Sequence, residues 1–275
     1  MSRGGSIIKT LIPRMVVIKG AGDLATGTAH RLWQAGFDVV MLELPRPLVV
    51  RRAASFATAV YDGSIQVEGV TAVKCAGMDQ LEDLLARRIV PVLVDPGARI
   101  IKRLRPGVLV DGIMAKRNTG TAITDAPLVI GLGPGFTAGG DVHAVIETNR
   151  GPNLGRVIYH GTAEPDTAVP GEVGGFAAER LLRAPADGIF RPLYKIGDQV
   201  EQGEVVAYVG EVPVKAAISG LLRGLLYPGL TVTAGLKVGD IDPRGAAIDP
   251  QAISDKARAV GGGVLEAIMH RYFNR

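Results

Sequence analysis

Apolar positions along the chain fall into short runs closed by glycine, proline or aspartate, not into long stretches. The run over 15–18 meets the turn Gly20-Ala21-Gly22-Asp23-Leu24-Ala25, and a helical spacing at Leu24, Thr28, Leu32 and Trp33 follows, ending near Gly36. A second run over 37–42 ends in Glu43. Further strand-like runs cover 72–76, 90–94, 107–111 and 128–132, interleaved with helical spacings over 79–88 and about 97–104. Strands alternating with short helices predict an α/β domain over 15–184, a Rossmann-like, mostly parallel sheet with helices on its faces. Ligands of such sheets collect outside the carboxyl ends of the strands. Asp23, Glu43, Asp95 and Asp111 lie at or just past those ends and form one candidate rim.

The first turn has the chemistry of a dinucleotide-binding crossover. Gly20 permits the turn, Gly22 removes a side chain where a pyrophosphate approaches, and Ala25 lets the helix pack on the strand. The helix N-terminus adds free N–H groups and a positive dipole end, with Asp23 at its edge. Glu43 stands near the roughly 20-residue distance at which an acid reads a ribose hydroxyl. The competing reading is a tight βα turn that binds nothing. A second anion element is Lys116-Arg117-Asn118, followed by Thr119-Gly120-Thr121, either a phosphate cradle or a solvated loop. A second glycine turn, with Gly133 and Gly135, follows the run over 128–132. Arg46, Arg51 and Arg52 sit in a proline-broken segment, 44–52, as a solvated face or as phosphate partners.

Alternation over 141–147 puts Asp141, His143 and Glu147 on one strand face. They are the acid/base candidates, and the alternative is a polar face that meets water. No metal site is assigned. Residues 150–175 are rich in Gly and Pro and predict a long loop, with His160 an ordinary loop residue, and 176–183 predicts a short helix. Residues 187–241 contain a repeat with an offset of 32 residues, which lays Gly188 on Gly220, Arg191 on Arg223, Gly197 on Gly229 and Gly203 on Gly235. Short strands between glycine turns predict a small all-β module over 185–245. The stretch Ile196-Gly-Asp-Gln-Val-Glu-Gln-Gly203 resembles the signature of biotinyl/lipoyl carrier domains, which implies a barrel-sandwich. Lys215 falls on the strand after the carrier hairpin, without the flanking Met, so carrier function does not follow. Residues 246–275 predict a C-terminal helix packed on the first domain. Gly261-Gly262-Gly263 interrupts it as a bend or, the better reading, as a close contact with another backbone.

Composition narrows the classes. Of 275 residues 47% are hydrophobic and 21% charged, enough for a sizeable core. No apolar run approaches the roughly 18 residues that span a bilayer. The arm over 1–14 lacks the pattern of a signal peptide, and the single Cys75 excludes an internal disulfide, so a cytoplasmic setting is expected. A net charge of +4 favours anionic ligands, whereas 5% aromatics without a basic-aromatic stripe argue against nucleic acid. Phosphate-loop, zinc-protease and serine-hydrolase motifs are absent. A homo-oligomer is compatible with everything so far.

Taken as an ordered set, several stretches resemble the YqeB family, accessory proteins of the selenium-dependent molybdenum hydroxylase system. These are Lys19-Gly-Ala-Gly-Asp-Leu-Ala-Thr-Gly27, Val110-Asp-Gly-Ile-Met-Ala-Lys-Arg-Asn118, Gly131-Leu-Gly-Pro-Gly-Phe136, Val145-Ile-Glu-Thr-Asn-Arg-Gly151 and the segment 253–267. The resemblance implies a part in maturation of a molybdenum cofactor, as XdhC-type proteins play for xanthine dehydrogenase, with a hydroxylase as client. It supplies no catalytic residues. Two functions are expected to compete: an accessory protein that binds a nucleotide or molybdenum pterin dinucleotide, and an NAD(P)-dependent oxidoreductase or other enzyme acting on a nucleotide-bearing substrate.

Overall fold

The computed structural model describes residues 13–166 and 171–273, so the arm expected over 1–14 lies, but for Pro13 and Arg14, outside the described residues. The glycine turn positions everything around it. β1 (Met15–Lys19) is buried from Val16 onward, and Gly20 then takes φ +88° in a gap where a Cβ would sit 3.0 Å from the Gly112 carbonyl oxygen. That left-handed, crowded position suits only glycine. α1 (Asp23–Gln34) starts directly after it and leads to β2 (Asp38–Glu43). Then follow α2 (Ala59–Asp62), β3 (Ser64–Val67), β4 (Val70–Cys75), α3 (Met78–Ala86), β5 (Val90–Val94) and α4 (Ile101–Leu104). β6 (Val108–Asp111), β7 (Leu128–Leu132), β8 (Thr137–Ala138), β9 (Ala144–Ile146), β10 (Val157–Ile158) and β11 (Gly161–Thr162) complete this part.

Nine of these strands form one sheet in the order β10-β9-β7-β6-β1-β2-β5-β4-β3. β1 lies at its centre, parallel to β2 and β6, and the register sets Lys19 beside Asp111. The near-continuous Val, Ile and Leu content of β1, β6 and β7 suits strands covered on both faces.

The expected Rossmann-like sheet with one barrel beside it is not what the chain forms. The large sheet is mixed, with an antiparallel strand at each edge, β3 against β4 and β10 against β9. Glu68 and Gly69 both take positive φ, 45° and 81°, so β3 and β4 join as a two-residue hairpin of the primed-turn kind. The remaining strands belong to separate antiparallel sheets. β8 pairs with β11. Farther along come β12 (Leu181–Arg183), β13 (Gly188–Pro192), β14 (Gln199–Val200), β15 (Val205–Val209), β16 (Val212–Lys215), β17 (Gly220–Leu225), β18 (Thr231–Val232) and β19 (Lys237–Asp242). They form two four-stranded sheets, β12-β19-β17-β14 and β16-β15-β13-β18, in place of a closed barrel. The repeat halves exchange strands: Val200 of the first pairs with Gly220 of the second, and Val232 of the second with Gly188 of the first. Both sheets bury one core around Phe190, Val206, Leu222 and Leu225. The segment 176–183 ends in β12 instead of a helix, because Leu181 and Leu182 find partners on β19.

α5 (Asp255–Phe273) runs unbroken through its three glycines and packs along α1. A Cβ on Gly27 would lie 2.6 Å from that of Ala257, and one on Gly261 2.9 Å from the Gly27 carbonyl oxygen. Gly261 and Gly263 therefore serve contact, not a bend. At the start of α5, Arg150 grips Asp255 with two hydrogen bonds of 2.6 and 3.0 Å. That pairing holds the Asp255 carboxyl down at about 2. Since the unfolded value is near 4, the stabilisation is complete above that pH and lost as pH falls toward the folded value. The side chain is 72% exposed, so about 1 kcal/mol or less is expected. In urea titrations, the stability gap between wild type and Asp255→Asn should shrink to nothing between pH 5 and pH 2; a gap constant over that range contradicts this account.

Candidate functional site

Two adjoining clefts open beside the carboxyl ends of β1, β2, β5 and β6, with volumes of about 530 and 560 Å³. Asp23, Leu24, Arg51, Met114 and Lys237 line both. Each volume falls in the range of small-molecule sites.

The first cleft has the glycine turn on its floor and an apolar wall from Leu44, Pro47, Leu48 and Val49, faced by Ile113 and Ala98. Gly22 takes φ −66°, which any residue can adopt, and a Cβ there would meet nothing within 4 Å. Its missing side chain leaves cleft volume free and answers no backbone need. Glu43 lines this cleft, but one carboxylate oxygen accepts the Ala21 N–H and the other the Leu44 N–H, both at 2.7 Å. Burial pushes its carboxyl up, against those two hydrogen bonds. Asp23 accepts its neighbour's amide, Leu24 N–H, at 2.9 Å. Protein carboxylates thus already answer two amides of the turn. Ala25 is fully buried behind it.

Beneath the cleft, Lys19 Nζ donates to Thr121 Oγ1 at 2.5 Å and lies 3.2 Å from Asp111 Oδ2, to which Thr121 also donates at 2.5 Å. All three are buried. Asn118 is the clamp that delivers Thr121: its Oδ1 accepts the Gly120 and Thr121 amides, and its Nδ2 donates to the Thr121 carbonyl.

The second cleft is strongly basic, lined by eight Lys or Arg side chains against four Asp or Glu. Arg51 stands at the junction, 8% exposed. Its Nη2 donates to the Ala252 carbonyl at 2.8 Å, while Nε and Nη1 have no hydrogen-bond partner among the described residues. Asp23 is the nearest acid, 3.8 Å from Nη1, too far for a hydrogen bond. The buried carboxylate of Asp240 faces Arg180 at 2.6 Å, Lys237 at 3.6 Å and Arg223 at 3.9 Å, one anion among three cations. Burial lowers the proton affinities of Arg51, Lys237 and Lys256; neighbouring cations (Arg223, Arg180 and Arg150 respectively) add to this, while carboxylates, Asp23 for all three and Asp240 for Arg51 and Lys237, oppose it.

Of the other sequence candidates, Lys116 reaches the second cleft and pairs with Asp166. Arg117 is exposed and lines neither cleft; Gly133 and Gly135 line neither, and serve close packing against Thr148 and the Arg117 backbone. Asp141, His143 and Glu147 do not form a set. The strand holds only Ala144–Ile146; Asp141 folds back to accept the Thr137 amide, and His143 Nδ1 accepts the Val129 amide. Glu147 is buried, accepting the amides of Thr148, Asn149 and Glu164. None lines either cleft. Among the described residues no three His, Cys, Asp or Glu side chains are grouped as metal ligands would be, and no helix is long and apolar enough to cross a membrane. The sequence reading missed Lys19, Arg180, Lys237 and Lys256. Lys19 did leave a signal, as a lone charge ending a fully apolar strand.

No family model matches the chain. It is 52% identical over 269 residues to the uncharacterised protein YqeB of Escherichia coli K12, an alignment that takes in 97% of this chain and 50% of that one. The chain thus spans about half the length of the curated relative it matches. Among solved structures, a succinylglutamate desuccinylase/aspartoacylase from Rhodobacter sphaeroides aligns at 17% identity over 83% of this chain and 85% of its own, with a TM-score of 0.27. An aspartoacylase family protein from Mesorhizobium loti aligns at 11% identity over 77% and 58%, with a TM-score of 0.25. Similarities that low carry nothing about the site.

Proposed function

Its Escherichia coli relative supports the YqeB family for this chain, and from that premise we propose an accessory protein of a molybdenum hydroxylase system that binds a nucleotide-bearing cofactor. The observation that carries this is the first cleft, an apolar chamber of nucleoside size whose floor is a glycine turn with Gly22 left open. A molybdenum pterin dinucleotide fits the donor set: the apolar wall takes a ring, and the cations next to it take phosphates. Glu43 keeps acceptor capacity on both oxygens for a ribose hydroxyl. The enzyme reading is weaker because its acid/base candidates stand outside both clefts. A cytoplasmic site of action suits the unpaired, buried Cys75.

Gly22→Val tests the reading without disturbing the fold, since neither φ nor contacts demand glycine there. Calorimetry with NAD, NADP, CTP, AMP and isolated pterin dinucleotide should show binding of at least one nucleotide. Gly22→Val should weaken it about tenfold or more, the scale of a sub-optimal steric fit, with an unchanged melting temperature. Affinities indifferent to Gly22→Val sink the proposal. Turnover of NAD(P) with a small substrate hands the case to an oxidoreductase.

A further inference from the structure

Resting on that reading, we infer that the ligand's phosphates lie not on the glycine turn but across Arg51, Arg223 and Lys237, in a diphosphate site shared by the large sheet and the repeat module. The turn is a poor host for an anion. Its Ala21 and Leu24 amides are held by Glu43 and Asp23, which would repel a phosphate drawn to the α1 N-terminus. The cations lie immediately beyond Asp23, in the second cleft. Arg51 is nine-tenths buried there with two guanidinium nitrogens unanswered, a costly state unless an acceptor arrives. Guanidinium groups match phosphate oxygens in pairs, which sets the chemical class.

Arg51 belongs to the segment after β2, whereas Arg223 and Lys237 lie on β17 and β19 of the module. The junction is fixed from the same side: Arg52 donates to the Leu225 carbonyl, and the rings of Tyr61 and Tyr227 stack 4.1 Å apart. The cations therefore stand ready before any ligand arrives. Arg223 already has Asp240 and Asp242 at 3.9 Å and Lys237 has Asp240 at 3.6 Å, so Arg51 is the least answered of the three, and the excess of basic over acidic side chains around it leaves room for a diphosphate more than for a single phosphate.

The test uses the full chain with inorganic pyrophosphate and inorganic phosphate as probes, by calorimetry and thermal shift. Pyrophosphate should bind and raise the melting temperature, about tenfold or more tightly than phosphate, and more weakly as salt rises. Lys237→Met and Arg51→Gln should each weaken it about tenfold or more, the scale of a lost charge-assisted hydrogen bond, while Arg117→Gln, exposed and outside both clefts, leaves it within about twofold. Lys237→Met settles the matter should Arg51→Gln misfold. Failure of pyrophosphate to bind, equal binding of phosphate, or wild-type affinity in Lys237→Met overturns the inference. If nucleotides bind with an affinity that Gly22→Val reduces and Lys237→Met does not, the inference falls and the cofactor reading stands. If pyrophosphate binds as inferred but no nucleotide binds more tightly, the cofactor reading falls instead.

Discussion

Asp111→Ala should cost about 3–5 kcal/mol of stability, the scale for removing one partner of a buried ion pair. Asp111 is 1% exposed and Lys19 8%. Without the carboxylate, the Lys19 ammonium keeps only the Thr121 hydroxyl, which itself loses its acceptor. The Ile113 amide, 3.1 Å from Asp111 Oδ1, is orphaned too. The double replacement Lys19→Met with Asp111→Leu should recover most of the loss, since it removes both charges whose desolvation opposes folding. Urea unfolding of the two single variants and the double one forms a cycle that reads the coupling. A single-variant loss below about 1 kcal/mol would falsify the claim that this pair is sealed from water.

The second large effect is expected at Gly263. A Cβ there would lie 2.1 Å from the Gly155 carbonyl oxygen and 2.9 Å from Ile146 Cγ2. The carbonyl cannot step aside, because Gly155 has φ +82° and is itself pressed against the Ala259 carbonyl. Gly263→Ala should therefore destabilise by about 2–3 kcal/mol, overpacking outweighing the gain in helix propensity. Gly262, one residue away in the same helix, has nothing within 4 Å. Gly262→Ala should instead stabilise by about 0.5–1 kcal/mol. Thermal melts of the two variants check the opposite signs, and shifts in the same direction contradict the packing account.

What could be read from sequence was whatever is decided over a few residues. The strand, turn and helix of 15–36 came through, because apolar run, glycine and helical spacing are each local. The contact role of Gly261 and Gly263 was legible as well, since glycine in a helix is costly unless another backbone comes close. The order of the sheets was not, because a buried run does not name its partner. The shared face of Asp141, His143 and Glu147 failed for a related reason: alternation assumes an extended chain, and the 137–141 turn bends Asp141 back. Arg51 was seen only as one of three arginines in a segment without period, where burial leaves no trace. The basic cleft did leave one overlooked clue in the repeat. Where the first half has Val205, Tyr208 and Gly210, the second has Lys237, Asp240 and Asp242. Departures from internal symmetry marked the copy that carries the charges.

The pairing of α1 with α5 also has a consequence for how the protein comes off the ribosome. From Gln34 to Asp255, about 220 residues must be synthesised before the partner of α1 exists. Until then the Gly27–Thr28 stripe of α1 and the faces of β7, β9 and β10 that α5 covers stay open, and the exchanged strands of the repeat wait for Val232. Such long-range closure is slow and leaves apolar surface open to other chains. The nascent chain is thus a natural client of holding chaperones until α5 emerges, and a cell short of them should lose this protein to aggregation before it loses proteins built from local contacts.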